Sequence, residues 1–130
     1  MFFLENVSEK RGKSIYSGCF SVILMQKRDV IRTERFRRGF KKLPIEIKER
    51  FDKQIRKLED INIDPYGMGD PLGYRWFREL KQGKYRLYFY IYENEIVILL
   101  LDTSDKKAQK EVIQQLKKYL RELRKLYISN

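Results

Sequence analysis

The sequence predicts one α+β domain, in which a small antiparallel sheet is packed by an N-terminal helical hairpin on one face and by a C-terminal helix near the other. Three observations predict this fold class: an alternating apolar and polar run at 85–92, a double amphipathic helical pattern at 33–58, and a third helical pattern at 108–127. Each helical pattern leaves an apolar stripe to bury, and the faces of the sheet are the available partners. A length of 130 residues, with 42% hydrophobic and 36% charged, suits a single domain with a modest core.

The run at 85–92 is predicted to be the middle strand of a three-stranded antiparallel meander. Gln82-Gly83 before it and Glu93-Asn94-Glu95 after it are typical of hairpin turns, and the neighbouring strands are expected at 74–80 and 96–101. Alternation sends three apolar side chains to the core face, namely Leu87, Phe89 and Ile91. The opposite face carries Arg86, Tyr88, Tyr90 and Tyr92.

Two interpretations of this second face stay open. Arginines beside aromatic rings on a rigid sheet suit a nucleic acid, because a guanidinium binds phosphate in a fixed fork and a ring offers a stacking surface to a base. The alternative is a cross-strand ladder of tyrosines with solvated charges, since aromatic residues are enriched in strands in any case.

Two helices are predicted between residues 33 and 58. Thr33 suits the N-cap of the first helix, and Leu43-Pro44 ends it, because proline fits the first turn of the second helix. A short strand is expected before the helices at 29–32, and a loop rich in Gly and Pro follows them at 64–73. The apolar stripes consist of Phe36, Phe40, Leu43, Ile47, Phe51, Ile55 and Leu58.

The strand at 96–101 is apolar at every position, which implies that both its faces are buried. A C-terminal helix is the expected second cover, because capping residues at 102–105 precede a stripe at helical spacing. Lys106 and Lys107 fall in its predicted first turn, where a bound anion would offset the unfavourable meeting of positive charge with a helix N-terminus. Screening by water and by Asp105 is the alternative explanation.

The composition restricts the possible partners and chemistry. A net charge of +11 indicates a polyanionic partner, and without a long hydrophobic span a nucleic acid is favoured over a membrane, although a lysine-rich surface from a hot-living organism fits the same charges. Histidine is absent, so catalysis would use Lys, Arg, Tyr or carboxylates, and we expect no metal and no cofactor. The single cysteine, Cys19, excludes an internal disulfide and agrees with a cytoplasmic location.

Residues 1–24 are expected to be an extension of uncertain order, and residues 25–130 to form the domain. A mixed apolar stretch at 15–25 follows three basic residues, but it lacks a signal-peptide cleavage pattern and is too short to span a membrane. Two alternatives remain for this region: the segment from Cys19 to Met25 adds a strand to the sheet, or Met25 is the working start codon.

A set of short motifs occurs in the same order as these elements. They are Phe36 with Lys41-Lys42-Leu43-Pro44, Tyr74-Arg75-Trp76-Phe77-Arg78-Glu79-Leu80, Gly83-Lys84-Tyr85-Arg86-Leu87, Ser104-Asp105-Lys106-Lys107 and Val112-Ile113. Their order and spacing over residues 28–124 resemble the RelE/ParE toxin superfamily, and more closely its archaeal RelE-like branch. No single motif is diagnostic, but the combination is fairly specific.

This resemblance implies the toxin of a type II toxin–antitoxin system. RelE-like members cleave mRNA in the ribosomal A site without a metal, so we expect a cytoplasmic endoribonuclease (mRNA interferase) that inhibits translation. The expected partners are a cognate acidic antitoxin, the ribosome and mRNA, with no membrane. ParE-like members instead inhibit DNA gyrase without being nucleases, and a degenerate member would only bind RNA or an antitoxin, so the shared fold leaves these alternatives open.

The resemblance also implies a set of site residues. The family's arginine after the hairpin matches Arg86, its basic residue on the preceding strand matches Arg78, and its basic residue opening the last segment matches Lys107; these three are the expected catalytic residues. The expected RNA-binding residues are Lys84, Tyr88, Tyr90 and Lys106. The sequence departs from the bacterial ribonucleases at Ile113, where they have a catalytic tyrosine, and at Glu79, in a strand where they carry lysines.

Overall fold

The computed structural model describes residues 27–92 and 97–128, and the side chains as far as residue 125. A short strand and two helices come first: β1 (Asp29–Arg32), α1 (Glu34–Lys41) and α2 (Ile45–Glu59). A 3-10 turn at Pro65–Gly67 leads to the rest of the sheet, β2 (Asp70–Tyr74), β3 (Phe77–Gln82), β4 (Tyr85–Tyr92) and β5 (Val97–Asp105). The last element is α3 (Gln109–Ile128). The predicted α+β fold class is confirmed.

The five strands form one sheet in the order β1-β5-β4-β3-β2. The predicted meander is present as β3, β4 and β5, paired antiparallel. Two edge strands extend it, and β1 lies parallel to β5, so the sheet is mixed rather than wholly antiparallel. The strand β2 lies partly in the predicted loop and pairs with β3 through an irregular register. Its Pro and Gly residues are typical of loops, so the sequence did not predict a strand there.

The helical hairpin covers one face of the sheet as predicted. Thr33 caps α1 by accepting a hydrogen bond from the backbone N–H of Phe36, and Pro44 precedes the first residue of α2. The hairpin buries Phe36, Phe51, Ile55 and Leu58 against Leu80, Leu87, Phe89, Ile91, Ile98 and Leu100 of the sheet. This is the larger of two apolar clusters among the described residues.

The opposite face of the sheet is covered by α3, also as predicted. Leu116 and Leu120 of this helix pack against Phe77, Tyr88, Tyr90 and Leu101. Tyr88 and Tyr90 are therefore 0% and 2% exposed. The interpretation of this face as an open aromatic surface is wrong, because α3, which covers this face of β5, also covers the two tyrosines.

The strand β5 and the last helix have different boundaries from those predicted. The strand continues through Asp102 to Asp105, which were expected to be capping residues, and α3 begins only at Gln109. Asp105 still supports the start of the helix, because its carboxylate accepts a hydrogen bond from the N–H of Ala108 at 2.9 Å. The predicted turn at 93–95 lies outside the described residues.

The chain before β1 is attached to the end of α2. Lys27 pairs with Asp60, and the buried guanidinium of Arg28 donates hydrogen bonds to the carbonyl oxygens of Leu58, Asp60 and Ile63 at 2.7, 3.3 and 2.9 Å. Burial lowers the pKa of Arg28, and attraction from Asp64 and Asp60 opposes that change. The expectations for residues 1–24, including a strand at Cys19 to Met25, lie outside the described residues.

None of the described helices has the length and apolar character needed to span a membrane.

Candidate active site

The turn between β3 and β4 brings several charged residues to one end of the sheet. Gly83 adopts a φ of +59°, a left-handed conformation that glycine adopts without strain, and this lets Gln82 pair directly with Tyr85. Tyr85 in turn pairs with Asp105, so the chain leaves β5 beside this turn. The exposed residues Lys84, Lys106 and Lys107 therefore lie around the same end of the sheet.

Arg86, which follows this turn in β4, is only 8% exposed. Its Nη1 donates hydrogen bonds to the carbonyl oxygens of Gly83 and Tyr85, at 2.9 and 3.1 Å, and so closes the turn. Its Nε is buried, has no hydrogen-bond partner within the described part of the chain, and lies 3.9 Å from Oε1 of Glu79. Arg86 thus combines a structural contact with a positive charge directed at a carboxylate.

Glu79 is the carboxylate at the centre of this end of the sheet and is 4% exposed. Its Oε1 accepts a hydrogen bond from Nε2 of Gln109, in the first turn of α3, at 2.7 Å. Its Oε2 lies 3.9 Å from Nζ of Lys81, a half-exposed side chain whose shorter contact, at 3.2 Å, is with Asp70. Glu79 is thus a buried carboxylate flanked by two cations.

Tyr88 is a fully buried residue of the site and pairs with Glu79 across the two strands. Its hydroxyl oxygen lies 2.7 Å from Oγ of Ser104, and the Ser104 hydroxyl donates a hydrogen bond to the carbonyl oxygen of Asp105. Since the serine proton is used in this way, Tyr88 is the donor of the pair. Burial raises the pKa of Tyr88 to about 12, so the phenol stays protonated at neutral pH. Its buried ring has no free face for a base, which corrects the expected RNA-stacking role.

Tyr90 is also unavailable for stacking on RNA. Its ring meets Trp76 edge-on at 5.3 Å, and its hydroxyl accepts a hydrogen bond from Nη1 of Arg124 at 3.1 Å. Tyr90 pairs with Phe77, whereas the site lies around the pair of Gln82 and Tyr85 at the other end of the two strands.

Arg78 does not join the other predicted catalytic residues. It pairs with Phe89, which belongs to the core under the helical hairpin, and directly paired residues share a face of the sheet. Its guanidinium donates to the carbonyl oxygens of Met68, Arg75 and Gly69 at 2.8, 3.2 and 3.0 Å. The structure therefore places Arg78 on the opposite face from Arg86, where it secures the loop before β2.

From the predicted set the structure places Arg86, Lys106 and Lys107 at this end of the sheet, whereas Nζ of Lys84 lies over the ring of Tyr85, which packs on the hairpin face. The same end of the sheet holds residues that the sequence analysis had not assigned, namely Glu79, Lys81, Ser104 and Gln109. The alternation along β3 was a sequence signal for two of them. Glu79 and Lys81 lie on one face of that strand, and their partners on β4 are Tyr88 and Arg86. Ser104 and Gln109 depend on tertiary pairing and leave no local signal. Among the described residues, no group of three or more carboxylates, histidines or cysteines is placed to hold a metal ion.

Solved structures with a similar fold include the E. coli RelE toxin and a toxin–antitoxin complex from Mycobacterium tuberculosis. The isolated E. coli RelE toxin superposes with a TM-score of 0.50 at 17% identity, over 68% of this chain and 98% of that one. A free E. coli RelE with two arginines replaced by alanine gives a TM-score of 0.55 at 14% identity, over 68% and 92%. The Mycobacterium tuberculosis RelBE2 toxin–antitoxin complex gives 0.50 at 23% identity, over 61% and 98%. The fold is that of the RelE/ParE toxin superfamily.

The sequence itself identifies the family within that superfamily. A model of the family described as the ParE toxin of type II toxin–antitoxin system, parDE, matches residues 30–108, which is more than half of the chain. The chain therefore belongs to the ParE toxin family of type II toxin–antitoxin systems. No curated protein matches its sequence significantly. The expected closeness to the archaeal RelE-like branch stays a prediction.

Proposed function

We propose that the protein is a toxin that cleaves mRNA on the ribosome without a metal ion and thereby inhibits translation. The observation that carries this proposal is the pairing of the buried Glu79 carboxylate with Arg86, at 3.9 Å, at the end of the sheet where the exposed Lys106 and Lys107 follow β5. Such an arrangement supplies both a proton acceptor and preorganised positive charge, which are the two requirements of metal-free RNA cleavage.

The reaction requires few protein groups. The 2′-hydroxyl oxygen attacks the adjacent phosphorus and gives up its proton, while the bond from phosphorus to the 5′-oxygen breaks and that oxygen takes up a proton from water. In the proposed site Glu79 accepts the first proton, and Lys106 and Lys107 hold the phosphate and stabilise its developing charge. Arg86 is too deeply buried to bind the phosphate alone; it orients Glu79 and adds positive charge beside it.

Cleavage of mRNA on programmed ribosomes tests the proposal. Lys107→Ala should slow cleavage roughly 10- to 150-fold, because a hydrogen bond from a charged donor contributes about 1.5–3 kcal/mol. Lys110→Ala is the matched control, since Lys110 is also exposed but lies within α3, whereas Lys107 precedes the helix. Equal cleavage by the parent and by Lys107→Ala would remove this lysine from the site, and intact mRNA with the parent would overturn the proposed activity.

A cognate acidic antitoxin is the proposed partner, and the cytoplasm the proposed location. The net charge of +11 attracts a negatively charged protein, and the solved RelBE2 relative is itself a toxin–antitoxin complex. Co-expression with the product of a small neighbouring reading frame should yield a complex held by both charge and apolar contacts. Recovery of only basic proteins or only nucleic acid with the tagged toxin would contradict this expectation.

Inhibition of DNA gyrase is the alternative function, and two observations favour it. The matching family is that of ParE toxins. In addition, Tyr88 is buried and Ile113 stands on α3 at the position expected for a catalytic tyrosine, so the described site holds no tyrosine placed to protonate the leaving oxygen. A supercoiling assay with purified gyrase separates the two functions: inhibition of gyrase with intact ribosomal mRNA would establish the alternative.

A further inference from the structure

A groove of about 330 Å³ lies between the β2–β3 hairpin and the second half of α3. The side chains that matter for its chemistry are Tyr74 and Trp76 on the hairpin and Lys117, Arg121, Arg124 and Lys125 on the helix. Its volume is at the lower end of the range of ligand-binding clefts, about 300–1,000 Å³. None of the residues contributes to the candidate active site.

The hairpin side of the groove is a fixed aromatic stack. The rings of Tyr74 and Trp76 lie 4.4 Å apart at an interplanar angle of 16°. Arg124 lies over Trp76, with its Cζ 4.2 Å from the ring centroid, and is itself held by its hydrogen bond to Tyr90. Trp76 is thus bounded by Tyr74 and Arg124, while Tyr74 is 48% exposed and forms the outer, solvent-facing end of the stack.

The helix side of the groove is positively charged. None of the described residues that line it carries a carboxylate. Lys117, Arg121 and Lys125 form no ion pair within the described part of the chain. A Cβ added to Gly73, the residue before Tyr74, would lie 3.1 Å from Nζ of Lys117, so this ammonium group reaches across the groove to the hairpin. An exposed aromatic platform beside unpaired cations matches the chemistry of unpaired nucleotides, whose bases stack and whose phosphates bind cations.

From these contacts we infer that the groove is a second binding site for single-stranded RNA, in which a base stacks on Tyr74 and the flanking phosphates bind Lys117, Arg121 and Lys125. Flat aromatic rings and guanidinium groups pack better against a base than against the aliphatic side chains of an acidic peptide. A duplex is excluded, because its bases present no free face. The choice of RNA rather than DNA rests on the proposed function.

The position of the groove lets one strand reach both sites. Gln109, at the start of α3, contacts Glu79 of the candidate active site, and Arg124, fifteen residues later (124 − 109), lies over Trp76. At 1.5 Å per helical residue this separates the sites by about 22 Å. A stacked strand rises about 3.4 Å per nucleotide, so roughly six nucleotides span that distance.

Binding is measured with a fluorescein-labelled, 12-nucleotide 2′-O-methyl RNA, which lacks a free 2′-hydroxyl and cannot be cleaved. Trp76 is the only tryptophan of the chain, so its intrinsic fluorescence reports directly on the groove. We expect anisotropy to show salt-dependent binding and Trp76 fluorescence to change with it. Tyr74→Ala should weaken binding roughly 5- to 150-fold, the effect of losing one stacking contact, whereas Tyr74→Phe, which keeps the ring, should bind like the parent.

Charge variants test the helix side. Arg121→Ala should weaken binding and lower the salt dependence by about 0.7 in the slope of log K against log salt, the value for one phosphate contact. Lys118→Ala is the matched control, because it removes an equal charge from an exposed position about one helical turn before Arg121 that does not line the groove. Equal losses in both variants would overturn the inference, since they would show a general charge effect. Thermal unfolding of each variant confirms that it is folded.

Three further outcomes would overturn the inference: RNA binding without a change in Trp76 fluorescence, tighter binding of a DNA oligonucleotide of the same sequence, and equal binding of a poly-glutamate peptide of the same length. The inference and the proposed function fail separately. If the protein binds the 2′-O-methyl RNA in this groove but leaves ribosomal mRNA intact, the inference about the groove stands and the proposed ribonuclease function fails.

Discussion

Arg86 and Arg78 illustrate how two arginines on adjacent strands acquire different tasks. Each donates hydrogen bonds to backbone carbonyl oxygens of a turn or loop close in sequence, on opposite faces of the sheet. Only Arg86 also lies beside a carboxylate, at the end of the sheet where exposed lysines follow β5. Its removal should therefore affect both stability and cleavage, whereas removal of Arg78 should affect stability alone.

The expected effects are distinct in size. Arg86→Ala should lower the free energy of unfolding by about 1–3 kcal/mol and slow RNA cleavage about 10²- to 10³-fold. Arg78→Ala should be at least as destabilising, because three carbonyl oxygens lose their donor, but should cleave at the parental rate per folded molecule. Urea denaturation and ribosome-dependent cleavage measure the two effects. Parental cleavage by Arg86→Ala would contradict its role in the site.

Tyr88 predicts a loss of stability at alkaline pH. The phenol has a pKa of about 12 in the folded protein and about 10 when unfolded. Below pH 10 both states keep the proton and the stabilisation is complete; between pH 10 and 12 only the unfolded state ionises, so the free energy of unfolding falls. Two pKa units correspond to about 2–3 kcal/mol. Tyr88→Phe should lack this component of the pH dependence, as urea denaturation across the range would measure; an unchanged alkaline loss would contradict it.

At the scale of elements, the sequence predicted the helices and strands whose ends and faces are determined by residues close in the chain. Thr33 as a cap, Pro44 as a helix breaker and the alternation at 85–92 were sufficient for the hairpin and the middle strand. The edge strand β2 was missed because Pro71 and Gly73 mask its pairing. The site was predicted only in part, because the burial of Tyr88 and the contact between Glu79 and Gln109 depend on where α3 packs.

The loop before β2 depends on one glycine. Gly69 has a φ of +66°, and a Cβ there would collide with the carbonyl oxygen of Glu79 on β3. Gly69→Ala should therefore lower the free energy of unfolding by at least about 2 kcal/mol. Gly67→Ala, two residues earlier, is the control, because a Cβ there meets nothing within 4 Å and we expect a change within about 0.5 kcal/mol. Equal effects on thermal unfolding would show that the loop adjusts freely.

At the scale of the whole molecule, the described elements already cover one another's apolar faces. Deletion of residues 1–24 should therefore leave the free energy of unfolding within about 0.5 kcal/mol of the parent. Arg28→Ala in the full chain should instead cost at least about 2 kcal/mol, since Arg28 joins the start of the domain to three carbonyl oxygens at the end of α2. Chemical denaturation of both proteins tests this. Loss of cooperative unfolding on truncation would show that the segment from Cys19 to Met25 belongs to the sheet.

The parallel pairing of β1 with β5 determines the order in which the chain folds. Asp29 pairs with Val97, so β1 is synthesised first but has no partner until nearly the whole chain has left the ribosome. Closing such a long loop is entropically expensive, whereas the meander forms from contacts close in sequence. We expect β1 to dock last, after the transition state for folding. Val30→Ala, opposite Ile98, should then accelerate unfolding and leave the refolding rate nearly unchanged in stopped-flow measurements. The newly made toxin thus passes through a stage in which the edge of β5 is open to pairing with another chain.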